Sequence, residues 1–88
     1  MKGFVYVLKN DKGDFYIGST DNLRRRLNQH RIGHTQTTRN QKMINLVLVQ
    51  EYGSLKDARI VERKIKKLKR KDYIAKMVAD GYIKVKSG

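Results

Sequence analysis

Residues 4–19, FVYVLKNDKGDFYIGS, decide the fold. Phe4–Leu8 is an unbroken run of aromatic, β-branched and aliphatic side chains, the pattern of a strand covered on both faces. Asn10-Asp11-Lys12-Gly13 follows as a turn, because Asn and Asp tolerate unusual backbone angles and Gly supplies positive φ. Asp14–Ser19 is then the returning strand, so the chain opens on a β-hairpin. A three-residue loop with Gly13 in a bulge would set Tyr6 opposite Tyr16 on one face; a one-residue change of register would separate them.

Downstream of the hairpin, a helix is expected from Asp21 or Asn22 to Ile32. Thr20 and Asp21 can cap its free N–H groups, and Gly33 can end it. Residues 34–41, HTQTTRNQ, are all polar or charged and lack any period, which marks a loop close to a ligand. Ile44–Tyr52 is a third strand, apolar enough for an interior or half-covered position. Ser54 caps a second helix, Leu55–Leu68, with Leu55, Ala58, Val61, Ile65 and Leu68 at helical spacing. After the basic junction KIKKLKRK, a third helix carries Tyr73, Ile74, Met77 and Val78 on one side and stops at Gly81. Residues 82–88 form a basic tail. Without repeats or linkers, residues 1–88 are one α+β domain of order ββαβαα.

Charge is the strongest global signal. Lys plus Arg number 21 against 8 Asp plus Glu, a net +13 on 88 residues. That imbalance repels itself in a compact fold and favours a polyanion, nucleic acid first and an anionic membrane surface second. With 39% hydrophobic residues in regular patterns, the chain is not a disordered basic tail. The absence of cysteine excludes disulfides and thiolate metal sites and suits a reducing cytoplasmic compartment. The N-terminal apolar run is too short for a secretory signal, and no stretch has the length of a membrane span.

Helix geometry separates the three consecutive arginines. With Leu23 at 0°, Leu27 lies near ~40°, Arg24 and Arg25 point near ~100° and ~200°, and Arg26 and His30 lie near −60° and −20°, roughly beside the apolar stripe. Arg24 and Arg25 are therefore available to phosphates at the periphery, while Arg26 and His30 meet the sheet. On the second helix Glu62 falls inside the apolar arc, while Arg59, Arg63, Lys64, Lys66 and Lys67 lie off it. A carboxylate aimed there needs a partner. That partner is either a salt-bridging residue, most simply Arg26, or a hard divalent ion such as Mg²⁺. Tyr6 and Tyr16 are ordinary strand aromatics taken singly. With Arg26, His30 and Glu62 they would place two phenols, an arginine, a histidine and a carboxylate on one sheet face.

These residues resemble the GIY-YIG endonuclease domain, in particular its small single-domain members. Phe4-Val5-Tyr6 looks like the first motif and Tyr16-Ile17-Gly18 spells the second. Ser19-Thr20, Asn22-Leu23, Arg26-Leu27 and His30 match the helix that follows. Ala58, Glu62 and Ile65-Lys66 match the later helix that brings the acidic ligand, and Thr38-Arg39 and the Leu46–Tyr52 strand also fit. The resemblance implies a three-stranded antiparallel sheet flanked by helices, and hydrolysis of a DNA phosphodiester. It further implies that Tyr6 activates water, Tyr16 positions the water or phosphate, and Arg26 stabilises charge on the phosphate. By the same resemblance Glu62 holds a single Mg²⁺ or Mn²⁺ and His30 assists. Arg24, Arg25, Thr38, Arg39 and Lys66 would contact nucleic acid. Two positions depart from the family pattern: Phe4 stands where the first motif opens on glycine, and no asparagine follows Glu62.

The expectation is a metal-dependent DNA endonuclease, cytoplasmic and nucleoid-associated when bound. With no appended recognition domain, it would prefer a DNA structure, branched or single-stranded, over a sequence. It would need no small-molecule cofactor and no membrane. The alternative is a non-catalytic module that binds DNA or structured RNA on the same fold.

Overall fold

The computed structural model describes residues 2–10, 12–31, 45–68 and 70–85. β1 (Gly3–Lys9) is the middle strand of an antiparallel sheet ordered β2-β1-β3, with β2 at Phe15–Thr20 and β3 at Asn45–Tyr52. The helices are α1 (Leu23–Arg31), α2 (Leu55–Leu68) and α3 (Lys71–Asp80), so the expected order ββαβαα is the observed one. The unbroken apolar run FVYVL belongs to the middle strand because both of its faces are covered. Val5 and Val7 join Ile17, Leu48, Ala58, Val61, Ile65, Met77 and Ile83 in the larger core on the α2 side. Tyr6 and Leu8 point the other way, into a smaller cluster with Tyr16, Leu23 and Leu27 beneath α1. Helices on opposite faces of one sheet are the outcome of this period-2 division.

The hairpin register differs from the three-residue-loop expectation. Lys9 faces Phe15, leaving residues 10–14 as the loop. Asn10 organises it: its buried side-chain Oδ1 accepts from the N–H groups of Lys12 (3.0 Å) and Asp14 (2.8 Å). Its own N–H donates to the Asp14 carbonyl at 3.0 Å. An Asn that satisfies this many backbone groups stabilises a wider loop than glycine chemistry alone suggests. Tyr6 therefore faces Gly18, and Tyr16 faces Leu8. The two phenols are diagonal neighbours on one face, with ring centroids 6.4 Å apart.

The N-cap of α1 is Asn22, whose Oδ1 accepts from the Arg25 N–H at 3.0 Å. Thr20 instead receives the Asn22 N–H, and Asp21 pairs with Arg25 at 3.6 Å. The expected helix end at Ile32 and Gly33, and the loop 34–41, lie outside the described residues. Ser54 caps α2 through the Asp57 N–H (3.1 Å), as its sequence position predicts. Gly81 ends α3 in the left-handed region (φ 81°), where its N–H reaches the Met77 and Val78 carbonyls. The start of the tail is built into the fold: Gln50 on β3 bonds both the N–H and the carbonyl of Ile83, whose side chain is buried. β3 is a half-covered edge strand with Leu46 and Val49 exposed. No helix among the described residues is long and apolar enough to cross a membrane.

Candidate active site

Tyr6 is fully buried, and its ring lies over Gly18 on the neighbouring strand. A Cβ added at Gly18 would stand 2.5 Å from Tyr6 Cζ and 3.0 Å from Cε1. The glycine of the YIG triplet is thus required by space, because any side chain there displaces the phenol. Gly18→Ala is expected to cost about 1–3 kcal/mol from overpacking and to shift the Tyr6 hydroxyl. Urea unfolding together with a structure of the variant checks both effects. From α1, Arg26 reaches down to this ring: its Nε donates to Tyr6 Oη at 3.3 Å, and its Nη1 to Gln29 Oε1 at 3.3 Å.

Burial is the largest influence on Tyr6 ionisation and pushes its pKa up to about 12. The Arg26 hydrogen bond and charge oppose the rise, while Tyr16 and Glu62 add to it. Below pH 10 the phenol is protonated in folded and unfolded chains alike. Between pH 10 and about 12 the unfolded chain loses the proton and the folded one keeps it, so stability falls by up to about 3 kcal/mol. Burial raises the Tyr52 phenol as well, and it acts in the same direction. Urea unfolding across pH 9–12 should show this fall, and Tyr6→Phe should flatten most of it.

Glu62 arrives from the opposite side of the sheet. Its side chain is 19% exposed, in keeping with its place in the apolar arc of α2. Ser19 Oγ donates to its Oε1, and Lys66 Nζ lies 2.6 Å from its Oε2. The partner is therefore not Arg26. Strand alternation puts Tyr16 and Gly18 on the α1 face and Ser19 on the α2 face, so the expected arrangement on one sheet face is also corrected. An i,i+4 lysine and a serine on the facing strand reach the carboxylate first.

The two halves meet around the outer edge of β2. There Ser19, Arg26, Arg59, Glu62, Arg63 and Lys66 line a cleft of about 430 Å³. Lys66 also spans to the α1 side, with its Nζ 5.9 Å from the Tyr16 ring centroid. Four cations around one carboxylate make this cleft a receptor for anions. Arg59 and Arg63 are additional site residues whose sequence signal is their spacing, since with Lys66 they repeat every three to four positions on one helix face. Ser19 carries no local signal, since its role exists only when α2 packs on β2.

Arg24 and Arg25 are exposed on α1, as their helical angles predict. His30 has its backbone in α1, but its side chain, like Thr38 and Arg39, lies outside the described residues. No group of three or more His, Cys, Asp or Glu side chains able to hold a metal ion occurs among the described residues. Among the described residues, Glu62 is the carboxylate that would hold a hard divalent ion, which takes phosphate and water as its other ligands.

A small α+β domain with a basic, single-carboxylate cleft at a sheet edge is the class that fold and geometry define. The chain belongs to the GIY-YIG family: the GIY-YIG catalytic domain matches residues 2–76. It is 36% identical over 70 residues to the UPF0213 protein of Streptococcus pneumoniae serotype 4, covering 78% of this chain and 71% of that one. The UPF0213 protein of a second S. pneumoniae strain matches equally. Among solved structures, the NMR structure of a UPF0213 protein from Bacillus halodurans aligns at TM-score 0.58 and 28% identity, over 92% of this chain and 87% of that one. Membership makes this a nuclease-family domain, with nucleic acid as its class of substrate.

Proposed function

We infer that the protein is an endonuclease hydrolysing DNA phosphodiesters with one divalent ion, Mg²⁺ or Mn²⁺. The observation that carries this is the cleft at the β2 edge, where Arg26, in contact with the Tyr6 hydroxyl, and Glu62 converge from opposite faces of the sheet. The scissile phosphate lies among Arg26, Arg59, Arg63 and Lys66, which offset its charge. Arg26 donates to the phosphoryl oxygens as negative charge builds on them. The ionised form of Tyr6 takes the proton of the attacking water as the bond from phosphorus to the leaving sugar oxygen breaks and that oxygen is protonated from solvent. Tyr16 orients the water or the phosphate. When bound at Glu62, the divalent ion supplies Lewis-acid stabilisation of the phosphate and acidifies water.

The raised Tyr6 pKa has a kinetic consequence. If Tyr6 is the base and nothing else alters its pKa, about one phenol in 10⁵ is ionised at pH 7. The cleavage rate then climbs close to tenfold per pH unit through neutrality, less steeply where the divalent ion lowers the phenol. The same observation, with both Glu62 oxygens already partnered, favours one second reading: a non-catalytic nucleic-acid-binding module.

Nicking of supercoiled plasmid, and cutting of branched, single-stranded and duplex oligonucleotides, separates the two. The nuclease cuts with Mg²⁺ or Mn²⁺ and not with chelator. A binding module shows strongly salt-dependent affinity and cuts none of them.

A further inference from the structure

In the free protein Lys66 occupies the position that a cation ligand of Glu62 would take. Its Nζ lies 2.6 Å from Oε2 while Ser19 donates to Oε1, so both carboxylate oxygens are engaged. The lysine side chain is 52% exposed, so it can leave the carboxylate without disturbing the core. Arg26, Arg59 and Arg63 surround the same cleft, and neither Arg59 nor Arg63 pairs with a carboxylate among the described residues. A divalent cation entering this cleft alone meets net repulsion. A phosphodiester is drawn in, and its charge both offsets the arginines and competes with Glu62 for the Lys66 ammonium.

We propose that Lys66 is the resident counter-ion of Glu62 and that the site loads in order, phosphate first and divalent ion second. The proposal rests on the nuclease reading and concerns how that site fills. Lys66 is then a positioning residue. It holds the carboxylate in place in the free protein, keeps stray cations off it, and passes to the phosphate when substrate arrives.

Mn²⁺ titration of the full chain, read as paramagnetic broadening of the Ser19 and Glu62 amide resonances, tests this without cleavage. Diethyl phosphate serves as a phosphodiester probe without base or sugar. Mn²⁺ should bind the wild-type protein weakly and several-fold more tightly once diethyl phosphate is present. Lys66→Met should bind Mn²⁺ about fivefold more tightly than wild type without phosphate, and should gain less from adding it. Lys66→Arg should restore the wild-type pattern, and Glu62→Gln should abolish the broadening. Equal Mn²⁺ affinity in wild type and Lys66→Met, both binding at Glu62, overturns the counter-ion role and leaves the nuclease reading intact. Broadening at neither amide under any condition overturns the loading order together with the divalent-ion part of that reading.

Discussion

Glu62→Gln lowers the plasmid-nicking rate by about 10³-fold or more if Glu62 is the one protein ligand of the divalent ion. The substitution keeps the shape of the side chain, and the amide oxygen can still accept from Ser19. What it removes is the negative charge that holds Lys66 and would hold the metal. The expected stability loss is below about 1 kcal/mol, because the Lys66 end of the pair is half exposed and screened by solvent. DNA affinity should be unchanged or slightly higher, since the cleft gains a net positive charge. Rate, melting temperature and DNA affinity measured on one preparation separate these effects. Full nicking by a folded Glu62→Gln protein would remove the carboxylate from the mechanism.

Arg26→Ala is expected to cost about 10²–10³ in cleavage rate through loss of a donor aimed at developing phosphate charge. A second effect adds to it. Arg26 opposes the rise of the Tyr6 pKa by both its hydrogen bond and its charge, so its removal leaves the phenol still harder to ionise. Ultraviolet titration of tyrosinate should show this as a further alkaline shift of the late-ionising phenol. Overall DNA affinity should change little, because Arg26 is one of 21 basic side chains. Arg26→Lys should not restore the rate, since an ammonium lacks the planar fork that reaches a phenol and a phosphate together. Parallel loss of affinity and rate would instead make Arg26 a plain phosphate anchor.

The two variants probe residues that were legible to different degrees. Glu62 stood out because a carboxylate in an apolar arc demands a partner, and that demand is a property of the helix alone. The identity of the partner was not legible. Arg26 reaches the same cleft from the other face of the sheet, but Lys66, a turn away on the same helix, pairs with the carboxylate instead. Tyr6 and Tyr16 were visible as a pair, but their offset depended on how Asn10 closes a five-residue loop.

Wherever a local rule suffices, sequence by itself determined the outcome. The apolar run of β1, the Ser54 cap, the helical stripe of α2 and the Gly81 stop each follow from neighbours within a few positions. The order of elements and the separation of Arg26 from Arg24 and Arg25 follow in the same way. The hairpin register is also local, set by Asn10 within its own loop, whereas tertiary structure alone decided the division of the site between two sheet faces and its reunion at the β2 edge. It also brought Ser19 to Glu62 across 43 residues of chain and set Arg59 and Arg63 beside them. The physical reason is that pairing and burial compete over long distances. A carboxylate takes whichever cation or hydroxyl the packing of α2 against β2 delivers, and no spacing within either element encodes that choice.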